Sequence, residues 1–255
     1  MAGFFTCLVL LWPGSASAQE AILTFGSEIY HESWTVWLDN PLLVPEKGSD
    51  WDDSEWGPAQ LYRMEYSGQN VAVMAEYETA ESLFPSLGVS MRQRYSLAFE
   101  SRSGGYVSDG VYFGLRYYNF EFANPTQYLD NHDYGEATLG YVLHVNQTGP
   151  GPYANLRITS PTAFWLLLLT LFLSNSNNDA AVNLADFPLP LGLEMQADAG
   201  YRLFPVPVEI GVGYRFFYYS TFYKDDYGSL DYGRAVSGIM HGVFLSVKLD
   251  LPAGF

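Results

Sequence analysis

From Val206 to Tyr219 the chain alternates without a break. Val206, Val208, Ile210, Val212, Tyr214, Phe216 and Tyr218 fall on one phase, and Pro207, Glu209, Gly211, Gly213, Arg215, Phe217 and Tyr219 on the other. The same holds for 193–203, where Leu193, Met195, Ala197, Ala199, Tyr201 and Leu203 oppose Glu194, Gln196, Asp198, Gly200 and Arg202. In 243–251, Val243, Leu245, Val247, Leu249 and Leu251 oppose Phe244, Ser246, Lys248 and Asp250. A period of two is the signature of an extended strand with two unlike faces. In a secreted soluble sandwich the apolar face would be the inside and the polar face would meet water. The second face here carries opposite charges and glycines together, as the interior of a narrow closed barrel in a membrane would.

Charge segregation supports the barrel. Reading one phase along all strands places Arg63, Arg92, Arg94, Arg116, Arg157, Arg202, Arg215 and Lys248 inward, eight of the 12 basic residues. It places Glu65, Glu76, Glu78, Glu136, Glu194, Asp198, Glu209 and Asp250 inward as well, so the interior is neutral. The other 4 basic and 20 acidic residues lie on connections and strand ends and carry the net charge of -16. An Arg or Lys facing lipid at mid-membrane costs about 2–4 kcal/mol, which drives these residues inward. Inside, each needs a partner, because an unpaired buried charge is far costlier than a paired one. The expectation is a closed or nearly closed lumen filled by ion pairs. The inward glycines Gly114, Gly140, Gly200, Gly211 and Gly213 would leave a little space.

Ten stretches have strand patterning, near 22–38, 59–67, 70–79, 87–100, 110–122, 135–146, 152–173, 191–203, 206–222 and 238–251. Short Gly/Pro-rich connections (67–69, 101–105, 147–151, 204–205) alternate with longer polar ones (39–58, 80–86, 123–134, 174–190, 223–237). This predicts an all-β, transmembrane, antiparallel up-and-down β-barrel of about ten strands, with eight to twelve compatible. An even number puts both termini on one side, that of the short turns. Charged residues are 16% of the chain against roughly 25% in an average soluble domain. Aromatic residues are 17%, which excludes a disordered acidic chain. The acidic balance excludes nucleic acid as a partner. The 163–173 run has 11 residues, too few for a helix to span a bilayer, which takes about 20. It reads either as the end of the seventh strand or as an interfacial helix.

Residues 4–12 form an apolar run, Pro13-Gly14 break it, and Ala16-Ser17-Ala18 is an A-x-A cleavage pattern. Residues 1–18 are therefore expected to be a signal peptide and 19–255 the barrel. Cys7 is the only cysteine, so the barrel region has neither a disulfide nor a thiolate site.

The last alternating strand runs to a terminal aromatic, Phe255, after Pro252-Ala253-Gly254. Together with the signal-like start and the alternating connections, this ending resembles the small Gram-negative outer-membrane β-barrel proteins. The resemblance implies residence in the outer membrane, with its lipid and lipopolysaccharide as surroundings. It also implies recognition by the barrel-assembly machinery through the C-terminal strand. It names no external ligand and implies no cofactor.

Candidate chemistry is thin. Asp50, Asp52, Asp53 and Glu55 put four carboxylates in six residues of the first long connection. They could hold a hard divalent cation through oxygen ligands, or simply form a solvated acidic loop. Asp50-Trp51-Asp52 and Asp130-Asn131-His132 resemble the Asp pair and Asp-His pair of the omptin proteases. Those pairs activate water only if their loops converge. His31-Glu32-Ser33 resembles the His-x-Ser of the outer-membrane lipid A deacylases. His144 reads as an interior histidine and His241 as lying near the outer rim, and the four histidines show no metal-ligand spacing. Trp34, Trp37, Tyr112, Tyr117, Tyr118, Tyr214, Tyr218 and Tyr219 suit aromatic girdles. The reading that follows is a barrel with a salt-bridged, closed lumen, serving as a scaffold for acidic surface loops. A narrow small-solute channel is the alternative, and an omptin-like or lipid-modifying hydrolase the second alternative.

Overall fold

Each alternating run is a strand of one sheet. The structure, a computed structural model, describes residues 20–37, 49, 51–68, 70–124, 131–146, 150–164, 166–167, 191–203, 206–223 and 234–252. Its strands are β1 (Glu20–Trp37), β2 (Trp51–Ser67), β3 (Val71–Phe84), β4 (Gly88–Ser101) and β5 (Val107–Phe122). There follow β6 (His132–Val145), β7 (Gly151–Ser160), β8 (Leu191–Leu203), β9 (Val208–Tyr223) and β10 (Arg234–Pro252). Every strand pairs antiparallel with its chain neighbours, and β1 pairs with β10, so the ten strands close into a barrel. The segment expected to be a signal peptide lies outside the described residues.

Closure fixes which side chains face the lumen. Directly opposed residues of an antiparallel pair share a face. Thr24 opposes Lys248 on one side and Arg63 on the other, Arg63 opposes Glu76, and Arg116 opposes Glu136. One phase therefore propagates around the ring. The other phase is the outer wall, where Leu245 is 64% and Val243 55% exposed. Leaving such side chains in water would be unfavourable, so this wall requires hydrocarbon around it.

Several expected limits shift. β2 begins at Trp51 rather than 59, and β3 runs on to Phe84, so the connection expected to be long there is the tight turn Pro85-Ser86-Leu87. Ladder pairing of Ser82 with Ser90 and Phe84 with Gly88 carries β3 past its expected end at 79. β7 stops at Ser160, and residues 161–164 and 166–167 are helical instead of strand. The ring of Phe164 lies 5.8 Å from that of Phe113, which points outward from β5, so this apolar turn lies against the outer wall. No described helix is long and apolar enough to cross a membrane.

Connections 68–70, 102–106, 146–150 and 204–207 lie at one end of the barrel, here the turn end, and the other end is the loop end. Asn146 adopts a left-handed φ of 56° in one of these turns, which its short polar side chain tolerates. Its amide donates to the Pro152 carbonyl at 2.8 Å.

Candidate functional site: a lumen braced across its width

The interior is built in three levels. At mid-height, the inward phase of β2 to β5 and β7 to β9 sends long charged side chains across the bore. Glu76 on β3 accepts from Arg63 Nε at 2.6 Å on the neighbouring strand and from Arg157 Nη1 at 3.1 Å, on β7 across the lumen. Ser96 Oγ donates to its second oxygen at 3.0 Å. Glu78 faces Arg92 Nη2 at 2.6 Å, Arg94 Nη2 at 2.9 Å and Arg215 of β9. Glu194 on β8 gathers three guanidiniums: Arg116 at 2.5 Å, Arg94 at 3.2 Å and Arg157 at 3.7 Å. Arg215 also pairs with Glu28 of β1, and Glu136 sits 3.6 Å from Arg116 and accepts from the Tyr118 hydroxyl at 3.2 Å. Arg92 and Arg157 lie over the rings of Tyr30 and Tyr112, each 5.1 Å from the centroid.

This network ties β1, β3, β4, β5, β7, β8 and β9 to one another through the middle of the barrel. Six guanidiniums (Arg63, Arg92, Arg94, Arg116, Arg157, Arg215) meet five buried carboxylates (Glu28, Glu76, Glu78, Glu136, Glu194), and a sixth, Glu32, is held instead by Trp34 and Ser82. Burying charges is repaid only when each is paired and its remaining donors are engaged. Planar, bidentate guanidiniums suit that task better than lysines, and Lys248, the one lumen lysine among the described residues, is placed elsewhere.

Toward the loop end the bore is filled by apolar side chains: Trp34, Val36, Phe84, Leu87, Tyr118, Phe120, Phe122, Phe217, Tyr219 and Met240, with Trp51 against them. Trp34 is 0% exposed, and its ring meets Phe120 edge-on at 5.1 Å. Its indole N–H donates to Glu32 at 2.7 Å, which joins this level to the charged one. Between the two levels remains a void of about 10 Å³, room for about one water. Among the described residues, the lumen is thus closed at mid-height and again above it.

Toward the turn end a blind vestibule of about 660 Å³ opens between Lys248, Arg202, Arg102, Asp198, Glu209, Glu100, Glu65 and His144. Its charges also pair. Lys248 Nζ lies 3.4 Å from Asp198 and 3.7 Å from Glu209, which also holds Arg202. Arg102 donates to Glu100 at 2.5 Å and to Glu65 at 2.8 Å. His144 bridges Glu100 at 2.6 Å and Asn155 at 2.8 Å.

The residues singled out for the lumen therefore sort into these levels. Arg63, Glu76, Arg92, Arg94, Arg116, Glu136, Glu194 and Arg215 join the mid-height brace. Glu65, Asp198, Arg202, Glu209 and Lys248 line the vestibule, and the side chain of Asp250 lies outside the described residues. Glu28, Glu32, Glu100 and Arg102 also belong to the interior. The first three fall on the same inward phase of β1 and β4, and continuing that phase to the strand ends would have found them.

The acidic cluster is different. Asp50 lies outside the described residues, and Asp52, Asp53 and Glu55 are in β2, not in a loop. A strand turns alternate side chains to opposite sides of the wall, so Asp52 points outward while Asp53 and Glu55 point inward. Asp53 accepts from the Ser86 amide at 3.0 Å and from its hydroxyl, holding the β3–β4 turn. No set of three metal-binding side chains gathers among the described residues. Asp130 and the side chain of His132 lie outside them. The aromatic girdle also needs correction: Trp34, Tyr112, Tyr118 and Tyr219 are buried in the lumen, whereas Tyr117 and Tyr214 are on the outer wall. His31 and Ser33 face outward with Trp56 and His241 beside the ring of His31, and no carboxylate joins them among the described residues.

No protein-family model matches the sequence, and no curated protein matches it. Solved structures do match the fold. The outer membrane protease OmpT from Escherichia coli aligns over 95% of this chain and 99% of its own, at 7% identity and a TM-score of 0.52. This chain has the fold of an outer-membrane β-barrel. Neisserial surface protein A aligns over 90% of this chain and 97% of its own (10% identity, TM-score 0.37). OprG from Pseudomonas aeruginosa aligns over 94% and 99% (12% identity, TM-score 0.33). At these identities the likeness concerns the barrel alone, and the side chains of this outer-membrane barrel have to be read on their own terms.

Proposed function

We propose that this protein is a non-conducting outer-membrane barrel, a rigid scaffold that holds acidic connections at its loop end. The observation that carries the reading is the mid-lumen brace: Arg94 reaches from β4 to Glu194 on β8, and Arg157 from β7 to Glu76 on β3. Such links fill the bore and tie opposite walls, which favours stiffness over permeation. The connections at the loop end carry Asp39, Glu46, Asp50, Asp130, Asp225, Asp226 and Asp231. Their chemistry suits cations, lipopolysaccharide bridged by cations, or a basic external partner.

The test is single-channel recording on refolded protein in planar bilayers. The parent is expected to be silent, and replacing Arg94 and Arg157 by Gly together is expected to produce discrete current steps. Steady conductance in the parent would overturn the reading in favour of a small-solute channel. Trimming residues 39–50 is expected to abolish surface binding of Ca²⁺ or lipopolysaccharide while leaving the heat-dependent gel mobility of the barrel intact.

A further inference from the structure

The seam where β1 meets β10 carries an unusual pair on its outer face. His31 and His241 are directly opposed across that seam. Their ring centroids are 5.3 Å apart and the planes are tilted by 40°. Trp56 flanks both, 5.1 Å from His31 and 6.1 Å from His241, and Tyr214 lies 6.2 Å from His241. Neither imidazole hydrogen-bonds another described residue. The pair lies toward the loop end of the outer wall. Toward the turn end the same face continues as Ile29, Val243 and Leu245, and toward the loop end Ser33, Ser54 and Asp52 stand beside Ile239. The polar side chains on that side give an aqueous ion its approach.

We propose that His31 and His241 form a two-histidine site for a divalent transition-metal ion, Cu²⁺, Ni²⁺ or Zn²⁺, which clamps the barrel across its closing seam. Two imidazoles on one tetrahedral ion, with metal–nitrogen bonds of about 2.0–2.1 Å, have ring centres about 5 Å apart. The observed separation of 5.3 Å meets that. Imidazole nitrogen selects these ions over Ca²⁺ or Mg²⁺, and Cu²⁺ binds most tightly of the three. Because the ligands come from the first and last strands, the site exists only in the closed barrel. Binding therefore stabilises closure by mass action. The indole and phenol rings shield one side, and water completes the coordination.

The experiment uses the refolded full-length barrel in detergent. Titration with Cu²⁺ and Zn²⁺, followed by calorimetry, is expected to show one saturable ion per chain and a raised unfolding midpoint. H31A and H241A are each expected to weaken binding by roughly tenfold or more and to abolish the shift in midpoint. H144A, in the vestibule, is expected to behave as the parent. Heat-dependent gel mobility confirms that each variant is a closed barrel. On the unmutated protein, electron paramagnetic resonance of bound Cu²⁺ is expected to show two imidazole nitrogens on one ion, a readout that needs no variant. Absence of saturable uptake by the parent overturns the proposal. So does uptake that survives both H31A and H241A, uptake lost only in H144A, or a Cu²⁺ spectrum with a single nitrogen.

Discussion

Replacing Glu194 by Gln removes the charge that three arginines share while keeping the shape of the side chain. Glu194 is 1% exposed, with Arg116, Arg94 and Arg157 at 2.5, 3.2 and 3.7 Å. Breaking a buried pair by removing one partner costs about 3–5 kcal/mol. Each arginine retains another carboxylate: Glu136 at 3.6 Å from Arg116, Glu78 at 2.9 Å from Arg94, and Glu76 at 3.1 Å from Arg157. The cost should therefore fall at the lower end, about 3 kcal/mol, which is more than a hundredfold in the unfolding equilibrium. Glu136 is the internal control. It touches one arginine, at 3.6 Å, and one of its oxygens has no hydrogen-bond partner. Glu136→Gln should cost about 1 kcal/mol or less. The measurement is urea unfolding of the refolded protein, followed by tryptophan fluorescence and gel mobility. A loss for E194Q below about 1 kcal/mol, or equal to that for E136Q, would refute the idea that Glu194 is the hub of the brace. Combining E194Q with R116Q should cost clearly less than the two changes added, because the pair leaves the bore neutral again.

Other outcomes follow from the same geometry. Leu245→Arg puts a cation on the outer wall and should lower stability by about 2–4 kcal/mol in bilayers, and Ser27→Arg, directly opposed to it across the β1–β10 seam, should cost about as much by the same unfolding assay. A Cβ on Gly213 would lie 2.3 Å from the Phe244 ring and 2.6 Å from the Ala197 carbonyl, so Gly213→Ala should destabilise by about 1–3 kcal/mol by the same unfolding assay. At Gly68 the nearest atom is 3.6 Å away, and Gly68→Ala should be tolerated. Asp53→Ala removes the acceptor for the Ser86 amide and hydroxyl; the β3–β4 turn should become accessible to protease while the barrel keeps its heat-dependent mobility.

The barrel was legible because its evidence is local. In 206–219 and 243–251 each residue announces its face through its neighbours two positions away, and a charge that would face lipid is forced to the other side. Boundaries were less legible where residues serve two settings. Asp52, Asp53 and Glu55 read as a loop because carboxylates are rare in strands, yet β2 extends above the apolar band, where its outward side meets water and its inward side meets a turn. The 163–173 run read as strand or helix because an apolar stretch on both phases carries no periodicity. Trp34, Tyr118 and Tyr219 read as girdle residues because an aromatic side chain suits an interface and a filled bore equally well.

Phase, and with it the choice between lipid and lumen for the charged side chains, came from the sequence by itself: an extended backbone alternates whatever the rest of the molecule does, and hydrocarbon excludes charge. Which charge meets which came only with the closed barrel. Arg94 and Glu194 are 100 residues apart and Arg215 and Glu28 are 187 apart, and nothing in their local patterns relates them. Closure between β1 and β10 also set His31 beside His241. The stagger of ten strands around one axis decides these meetings, because it is a property of the whole ring and of no strand taken singly.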